Sequence, residues 1–366
     1  MKNKLIFCEN SVIKNFHSKI SYHKEKHILS ILSGTDLCPQ IISDCENQLE
    51  LSLAEGVTLS QAIADNTDLF TVFEKMIQWL VQFNSITQNI CLDDINLKNF
   101  IYSQDENKIY GIDFESWHYG DNAVNFASLL AMIETARFND SFLQAELYNH
   151  IKTYILSTTD ILSVESMASA QKEKTALRRK AMPFIRKSDC VIIAGGKSSR
   201  MGYPKGLLKQ GDYTFAEHII YNTSVFDKQY ISANSTLYDD LHCEIITDNY
   251  TDIGPMGALQ ASLSKNRKEY VFFIPCDMPF ITEETILHLY SNFSDDCEAI
   301  VFKTDDKVFP TVGIYKKSVL KQIETQINTG NYKMMLLLDS INTQYITPLY
   351  PEQFKNINTP QDYKNI

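Results

Sequence analysis

The sequence is poor in the features that mark several common classes of protein. Its 366 residues include two tryptophans, ten prolines and 13 glycines, and its eight cysteines are scattered without a CxxC pair. Scattered thiols form neither a dense disulfide scaffold nor the close ligand pairs of a zinc site, so we expect reduced cysteines and a cytoplasmic protein. No apolar run approaches the roughly 20 residues that cross a bilayer, and the first apolar stretch is too short for a signal peptide. We therefore expect no association with a membrane.

Positive charge is also scarce. The chain has 34 Lys and Arg against 45 Asp and Glu, which gives a formal net charge of -11. A field of this sign repels phosphate backbones, so nucleic acid is not expected as a partner. Small anionic ligands can still bind to a chain of this charge, because a local group of donors or a metal can overcome the field. The content of 44% hydrophobic and 22% charged residues is that of a globular protein.

A change of composition divides the chain into two parts. Residues 163–187 are basic and contain Ala, Gln, Lys and Glu, which favour a helix. This stretch is either a partly helical linker or the last helix of the first domain. We predict a domain over 1–165, a linker over 166–187 and a second domain over 188–366.

Strand-like and helix-like segments alternate after the linker. Apolar runs such as DCVIIAG and YVFFIPCD are separated by helix-like runs such as GPMGALQASLSK. This alternation predicts βαβ units and an α/β fold, with a Rossmann-like, mostly parallel sheet covered on both faces. In such sheets ligands bind at the carboxyl ends of the strands.

A glycine-containing turn follows the first of these strands. In VIIAGGKSSRMGYPKGLL, Gly195 and Gly196 allow a close backbone approach, while Arg200 and Lys205 add positive charge. Oriented backbone amides and cations together bind phosphate groups. The spacing is that of neither a P-loop nor a dinucleotide-binding motif. We therefore predict a phosphate-binding loop of another kind.

Two carboxylates follow strand-like runs farther along the chain. Asp277 follows the buried run VFFIPC, and Asp248 ends CEIITD. A carboxylate at a strand end that faces a phosphate loop is suited to hold Mg²⁺ between protein and nucleotide. We predict that Asp277 binds the metal and that Asp248 hydrogen-bonds a base or ribose.

These motifs resemble molybdenum cofactor guanylyltransferase in order and spacing over residues 188–366. The segments that carry the resemblance are AGGKSSRMGYPK, IITD, IGPMGAL, IPCDMPF, VFPTVGIY and FKNINTPQDY. The resemblance implies nucleotide binding by a set of strand-end residues, namely Ile193, Ala194, Gly195, Gly196, Lys205, Ser232, Asn234, Asp248 and Asp277. Ser232 stands where the family has asparagine, and Asn234 is the candidate substitute. Asn356 and Asn358 match the family's pair on the pterin side.

The implied reaction is transfer of GMP from GTP to the phosphate of molybdopterin, with or without molybdenum, and release of pyrophosphate. In this assignment Arg200 and Lys205 neutralise phosphate charge, and Asp277 is the third catalytic residue and the Mg²⁺ ligand. AGG rather than AAG in the first loop resembles the guanine-using branch of the family. The alternatives are transfer of CMP to molybdopterin, transfer of a nucleotide to a phospho-alcohol, and a nonenzymatic molybdopterin chaperone.

The N-terminal part contains a second constellation of polar residues. Asp94, Asn99 and Asp113 occur in LDDINLKNF and YGIDFE, and they are preceded by Lys14 in SVIKNF and Glu25 in a helix-like run. They resemble the catalytic Asp, metal-binding Asn and Asp, and Lys–Glu pair of aminoglycoside- and choline-kinase-type enzymes. The resemblance implies a compact α+β protein-kinase-like domain that binds ATP.

Two departures from the kinase pattern are visible in the same region. Leu92 stands where the catalytic loop usually has His, and no glycine-rich loop precedes Lys14. The alternative is therefore a kinase-shaped binding or regulatory module without turnover. An active kinase would instead make the phosphorylated alcohol that the second domain then activates.

Overall fold

The computed structural model describes residues 3–65, 68–136, 138, 140–158, 162–196 and 201–366. The chain forms two compact units, Asn3–Ala176 and Leu177–Ile366. All but the last two residues of the predicted linker lie within one helix, α6, which extends over Leu162–Ile185 and across this division. The domain limits proposed from composition stay predictions.

A four-stranded antiparallel sheet begins the N-terminal unit. Its strands are β1 (Lys4–Phe7), β2 (Ser11–Asn15), β3 (Ile41–Cys45) and β4 (Gln48–Ser52), in the order β1-β2-β4-β3. Helix α1 (Lys19–Ile31) follows β2, and the side chain of Ser18 caps its first turn. Lys14 lies in the second strand, and its side chain is buried.

The rest of this unit is mainly helical, with two small antiparallel sheets between the helices. Its strands are β5 (Val57–Thr58), β6 (Ile90–Leu92), β7 (Phe100–Ser103), β8 (Lys108–Gly111) and β9 (Trp117–Tyr119). Its helices are α2 (Leu59–Ala64), α3 (Leu69–Thr87), α4 (Ala123–Thr135), α5 (Ser141–Thr158) and the first part of α6. Trp79 of α3 is buried in the core, and its indole N–H donates to the Leu37 carbonyl.

The C-terminal unit is built on a seven-stranded sheet. Its strands are β10 (Ser188–Ile193), β13 (Gln229–Ser232), β14 (Glu244–Ile246), β15 (Tyr270–Pro275), β16 (Ala299–Lys303), β17 (Val308–Lys316) and β18 (Thr343–Ile346). The order is β14-β13-β10-β15-β17-β16-β18, and only β17 runs against the others. The prediction of an α/β fold with a mostly parallel sheet is confirmed.

Helices and a small hairpin complete this unit. The hairpin pairs β11 (Lys209–Gln210) with β12 (Tyr213–Thr214). The helices are α7 (Phe215–Asn222), α8 (Pro255–Lys265), α9 (Glu283–Ser291), α10 (Leu320–Asn328), α11 (Met334–Ser340) and α12 (Pro360–Lys364).

The central strands are covered on both faces. Cys190 and Ile192 belong to the apolar cluster on one face of the sheet, whereas Val191 and Ile193 belong to the cluster on the other. Every residue of β10 and β15 is buried. Such continuous apolar runs are typical of strands inside a doubly covered parallel sheet. Polar side chains can therefore gather only where these strands end.

All eight cysteines are free thiols, as expected, and six of them are buried. Among the described residues, no helix has both the length and the apolar character that crossing a bilayer requires.

Candidate active site

Four parallel strands bring their carboxyl ends to one rim of the C-terminal sheet. The backbone N–H groups of Ala194 and Gly195 both donate to the Ser232 carbonyl, at 2.9 Å. On the other side, the Cys276 N–H donates to the Ile193 carbonyl, also at 2.9 Å. The glycine turn after β10 and the acid after β15 thus start from adjacent strand ends.

Lys205 and Asp277 meet at this rim. The Lys205 ammonium lies 3.0 Å from the Asp277 carboxylate and 2.5 Å from the Asn358 side-chain oxygen. The Lys205 and Asp277 side chains are 20% and 14% exposed, so the pair is shielded yet still reached by solvent. The structure therefore brings together a cation, an acid and an amide that are far apart in the sequence.

The Asp277 carboxylate has one oxygen that Lys205 does not use. Its Oδ1 atom is buried and finds no hydrogen-bond partner among the described residues. A buried carboxylate oxygen without a donor is costly unless something else satisfies it. This oxygen fits the predicted role as a Mg²⁺ ligand, because hard divalent cations prefer carboxylate oxygens.

Asp248 and Asn234 form a reciprocal pair at the ends of β14 and β13. The Asn234 amide donates to the Asp248 carboxylate at 3.0 Å, and the Asp248 backbone N–H donates to the Asn234 side-chain oxygen at 2.9 Å. Burial raises the pKa of Asp248, and the hydrogen bond from Asn234 opposes this effect. The side chain of Ser232, in contrast, is buried. Of the two residues considered for the family's asparagine, Asn234 is the one at the solvent-facing rim.

Tyr238, which was not among the predicted residues, supports the loop that follows β10. Its hydroxyl donates to the Ala194 carbonyl at 3.3 Å. Its ring fills the space next to Gly206, where a Cβ atom would lie 2.9 Å from it. Gly196 has φ of 138°, a conformation that favours glycine. These contacts hold the loop at Ala194 and at Gly206. Arg200 lies between these two points, outside the described part of the chain.

The two asparagines near the C-terminus are in different surroundings. Asn358 contacts Lys205, whereas the Asn356 side chain accepts a hydrogen bond from Lys307 at 3.4 Å. Their assignment to the pterin side stays a prediction.

The five polar residues singled out in the N-terminal part form two groups, which a backbone hydrogen bond connects. Lys14 lies 2.5 Å from both the Glu25 and the Asp113 carboxylates. The Asn99 side chain donates to the backbone and side-chain oxygens of Asp94, and the Asn99 carbonyl accepts from the N–H of Ile112, next to Asp113. The spacing of these residues in the sequence thus corresponds to proximity in the structure.

Glu115, which was not among the predicted residues, joins the cluster around Lys14. Its carboxylate lies 3.6 Å from the Lys14 ammonium and accepts two hydrogen bonds from the Asn3 amide. Carboxylate oxygens of Glu25, Asp113 and Glu115 all lie within 4.8 Å of one another. The IDFE motif was the available signal, since its Glu follows Asp113 by two positions.

Burial and charge act in opposite directions on this cluster. Burial lowers the pKa of the Lys14 ammonium, but the charges of Glu25, Asp113 and Glu115 outweigh it and raise the pKa. Burial raises the pKa of Glu25 to about 7, although Lys14 draws it down. Lys14 therefore stays charged at neutral pH and compensates the buried carboxylate of Glu25.

Comparison with known proteins bears on the C-terminal unit. Residues 190–343 match the family described as "MobA-like NTP transferase domain". The chain is 34% identical over 178 residues to a Flavobacterium johnsoniae protein named "Probable molybdenum cofactor guanylyltransferase", covering 48% of this chain and 94% of that one. It is 31% identical over 178 residues to the molybdenum cofactor guanylyltransferase of Vibrio parahaemolyticus, covering 47% and 91%.

One of the solved structures similar to this chain is the crystal structure of molybdopterin-guanine dinucleotide biosynthesis protein A from Archaeoglobus fulgidus, with 24% identity and a TM-score of 0.44. The match covers 48% of this chain and 95% of that one.

The sequence relatives are matched over nearly their whole length, and the matched region contains the rim that holds Lys205 and Asp277. Through its C-terminal half, the chain therefore belongs to the molybdenum cofactor guanylyltransferase family and is a nucleotidyltransferase.

Proposed function

We propose that the C-terminal unit transfers GMP from GTP to the terminal phosphate of molybdopterin. The observation that carries this proposal is the contact of Lys205 with Asp277 beside the glycine turn. It supports a site in which one cation and one metal-binding carboxylate face the same phosphate chain. The names of the relatives supply the acceptor and the base.

Positioning and charge neutralisation account for the chemistry. A phosphate oxygen of molybdopterin attacks the α-phosphorus of GTP, the bond to the bridging β-phosphate oxygen breaks, and pyrophosphate leaves. An anionic nucleophile needs no strong base, so the rate depends on alignment and on cations placed where charge accumulates. Lys205 and Arg200 neutralise phosphate charge, and the backbone N–H groups of the glycine turn orient it.

The residues present fit a divalent metal at Asp277, through the buried Oδ1 atom that has no donor among the described residues. When bound, Mg²⁺ would supply charge neutralisation at the nucleotide phosphates. Asp277 would then hold the metal through Oδ1, while Lys205 pairs with Oδ2.

Base recognition is assigned to the Asn234–Asp248 pair. The Asn234 amide holds one oxygen of Asp248, which orients the carboxylate at the open end of the sheet. A carboxylate accepts hydrogen bonds, and guanine presents N–H donors on its Watson–Crick edge, whereas cytosine presents fewer. The pair therefore favours GTP over CTP.

The test is a direct competition between donor nucleotides and between acceptors. Purified full-length protein with Mg²⁺ is given molybdopterin and either GTP or CTP, and pyrophosphate release and dinucleotide formation are both measured. We expect GMP transfer with kcat/KM at least about 10-fold above that for CTP. Faster CMP transfer would establish the cytidylyl alternative. Transfer only to phosphocholine or another phospho-alcohol would overturn the assignment of the acceptor.

We propose a second function, binding of an ATP–metal complex, for the N-terminal unit. The specific observation in its favour is the contact of Lys14 with both Glu25 and Asp113, next to the Asp94–Asn99 pair. In kinase-type sites the lysine holds phosphates, and the Asp and Asn hold metal. The domain would then either phosphorylate a small molecule or sense the nucleotide.

Titration of the full chain with ATP and Mg²⁺ by calorimetry tests this second function. We expect the wild type to bind, and Asp113→Asn to weaken this binding at least about 10-fold, because the carboxylate is needed for the metal. Asp105→Asn, which removes the same charge from an exposed position of the β7–β8 hairpin, is the matched control. Equal binding by wild type and Asp113→Asn would contradict the assignment. Binding without phosphate transfer would identify a sensor.

A further inference from the structure

Residues 356–363, the C-terminal segment, are attached to the rim of the C-terminal sheet. The Ile357 N–H donates to the Asp277 carbonyl at 2.9 Å, and the Ile357 side chain is fully buried beside Leu208 and Phe215. The Tyr363 hydroxyl donates to the Lys209 carbonyl at 2.8 Å. The segment is thus joined both to the loop that carries Asp277 and to the end of the loop that carries Lys205.

Within this segment, Asp362 fixes the backbone at Asn358. A single carboxylate oxygen of Asp362 accepts from the Asn358 N–H at 3.0 Å, the Thr359 N–H at 2.8 Å and the Thr359 hydroxyl at 2.9 Å. Thr359 in turn accepts from the Asp362 N–H, which completes a capping box at the start of α12. The arrangement does more than cap a short helix, because one of its three donors belongs to the residue that contacts Lys205.

We infer that Asp362 is a positioning residue for nucleotidyl transfer, acting on Lys205 through Asn358. The inference rests on the proposed function, in which Lys205 neutralises phosphate charge. The contact path is continuous: Asp362 holds the Asn358 backbone, and the Asn358 side-chain oxygen holds the Lys205 ammonium.

The chemistry of the ammonium group explains why this contact matters. An ammonium has three donors and rotates freely unless acceptors fix it. Asp277 and Asn358 take two of the three donors of Lys205. The remaining donor is then directed at one place, as a group that binds a phosphate in a defined position requires.

The test compares Asp362→Asn in two backgrounds. In the wild-type background we expect kcat for GMP transfer to fall by about 10-fold with KM for GTP changed less than twofold, because supporting contacts of this kind cost 10–100-fold. In the Lys205→Met background we expect Asp362→Asn to have no further effect on kcat. A residue with a merely structural role would lower kcat by the same factor in both backgrounds, and this result would overturn the inference.

Glu217→Gln is the matched control variant. Glu217 closes the same kind of capping box with Thr214 at the start of α7, and it also accepts a backbone N–H and a hydroxyl. We expect Glu217→Gln to lower the thermal midpoint as much as Asp362→Asn does, with kcat unchanged. Equal losses of kcat in the two variants would show that capping alone explains the effect.

A double-mutant cycle measured by unfolding tests this inference separately from the proposed function, because unfolding is measured without any turnover. Asp362→Asn and Asn358→Ala are combined, and urea unfolding of the full chain is measured for each variant. We expect the two effects to be non-additive, because Asp362 acts through Asn358. Additive effects would show that Asp362 does not act through the Asn358 side chain, even if the wild type transfers GMP. Non-additive effects without GMP transfer would leave the link in place and reject the proposed reaction.

Discussion

Asp277→Ala is expected to lower the turnover of GMP transfer at least ~100-fold. The substitution removes the carboxylate oxygen proposed for the metal and the oxygen that pairs with Lys205 at 3.0 Å. The fold should persist, since the bond from Ile357 to residue 277 uses the backbone carbonyl and not the side chain. Steady-state assays over a range of Mg²⁺ concentrations check this result.

Asp212→Ala is the control for this prediction. Asp212 is exposed in the turn between β11 and β12, so its removal changes net charge without touching the rim. We expect this variant to transfer GMP at the wild-type rate. Wild-type turnover by Asp277→Ala would show that the metal is held elsewhere.

Lys14→Met is expected to destabilise the N-terminal unit by about 3–5 kcal/mol, because it leaves the buried carboxylate of Glu25 without its cation. Lys14 is 6% exposed and Glu25 is 1% exposed, so water cannot replace the ion pair. Burial already raises the pKa of Glu25 to about 7 with Lys14 in place.

The pH dependence of this loss follows from the direction of the pKa shift. A carboxyl group whose pKa is raised by folding takes up protons in the folded state, so stability falls as the pH rises from its unfolded pKa through its folded pKa. Removing Lys14 removes the charge that drew the pKa of Glu25 down. The destabilisation by Lys14→Met should therefore be larger at pH 8 than at pH 5.

Tryptophan fluorescence measures the N-terminal unit alone during urea unfolding, because both tryptophans of the chain, Trp79 and Trp117, lie in it. Lys108→Met is the control, since Lys108 pairs with the exposed carboxylates of Glu106 and Asp36. Exposed pairs contribute about 1 kcal/mol or less. Equal effects of the two substitutions would contradict the role given to Lys14.

The rim of the C-terminal sheet was predictable because it depends on local patterns. The runs before Ala194 and Asp277 are apolar and end in glycine or in an acid, which is how a buried parallel strand stops. Parallel strands necessarily end on the same side, so their polar ends had to lie near one another. The antiparallel direction of β17 in this sheet was not predicted, because the pattern of apolar residues in a strand does not reveal which way the strand runs.

Contacts between distant residues could not be obtained in this way. The contact of Lys205 with Asn358 spans 153 residues and depends on where Ile357 packs. The signal for Asp362 was present, however, because Thr-Pro-Gln-Asp is a capping-box sequence with proline at the first helical position. Likewise, the order of Asp94, Asn99 and Asp113 indicated one cluster, but nothing in the spacing indicated that Asn3 would bind Glu115.

The separation of Lys205 from Asn358 also has a consequence during synthesis. Ribosomes add about 5–20 residues per second, so a gap of 153 residues delays this contact by roughly 8–30 s after Lys205 is made. The sheet can form during that interval, because β10, β13, β14 and β15 all precede the last segment. A nascent chain would therefore have a nearly complete scaffold before its lysine is fixed, and catalytic competence would arrive only once residues 356–363 have been made.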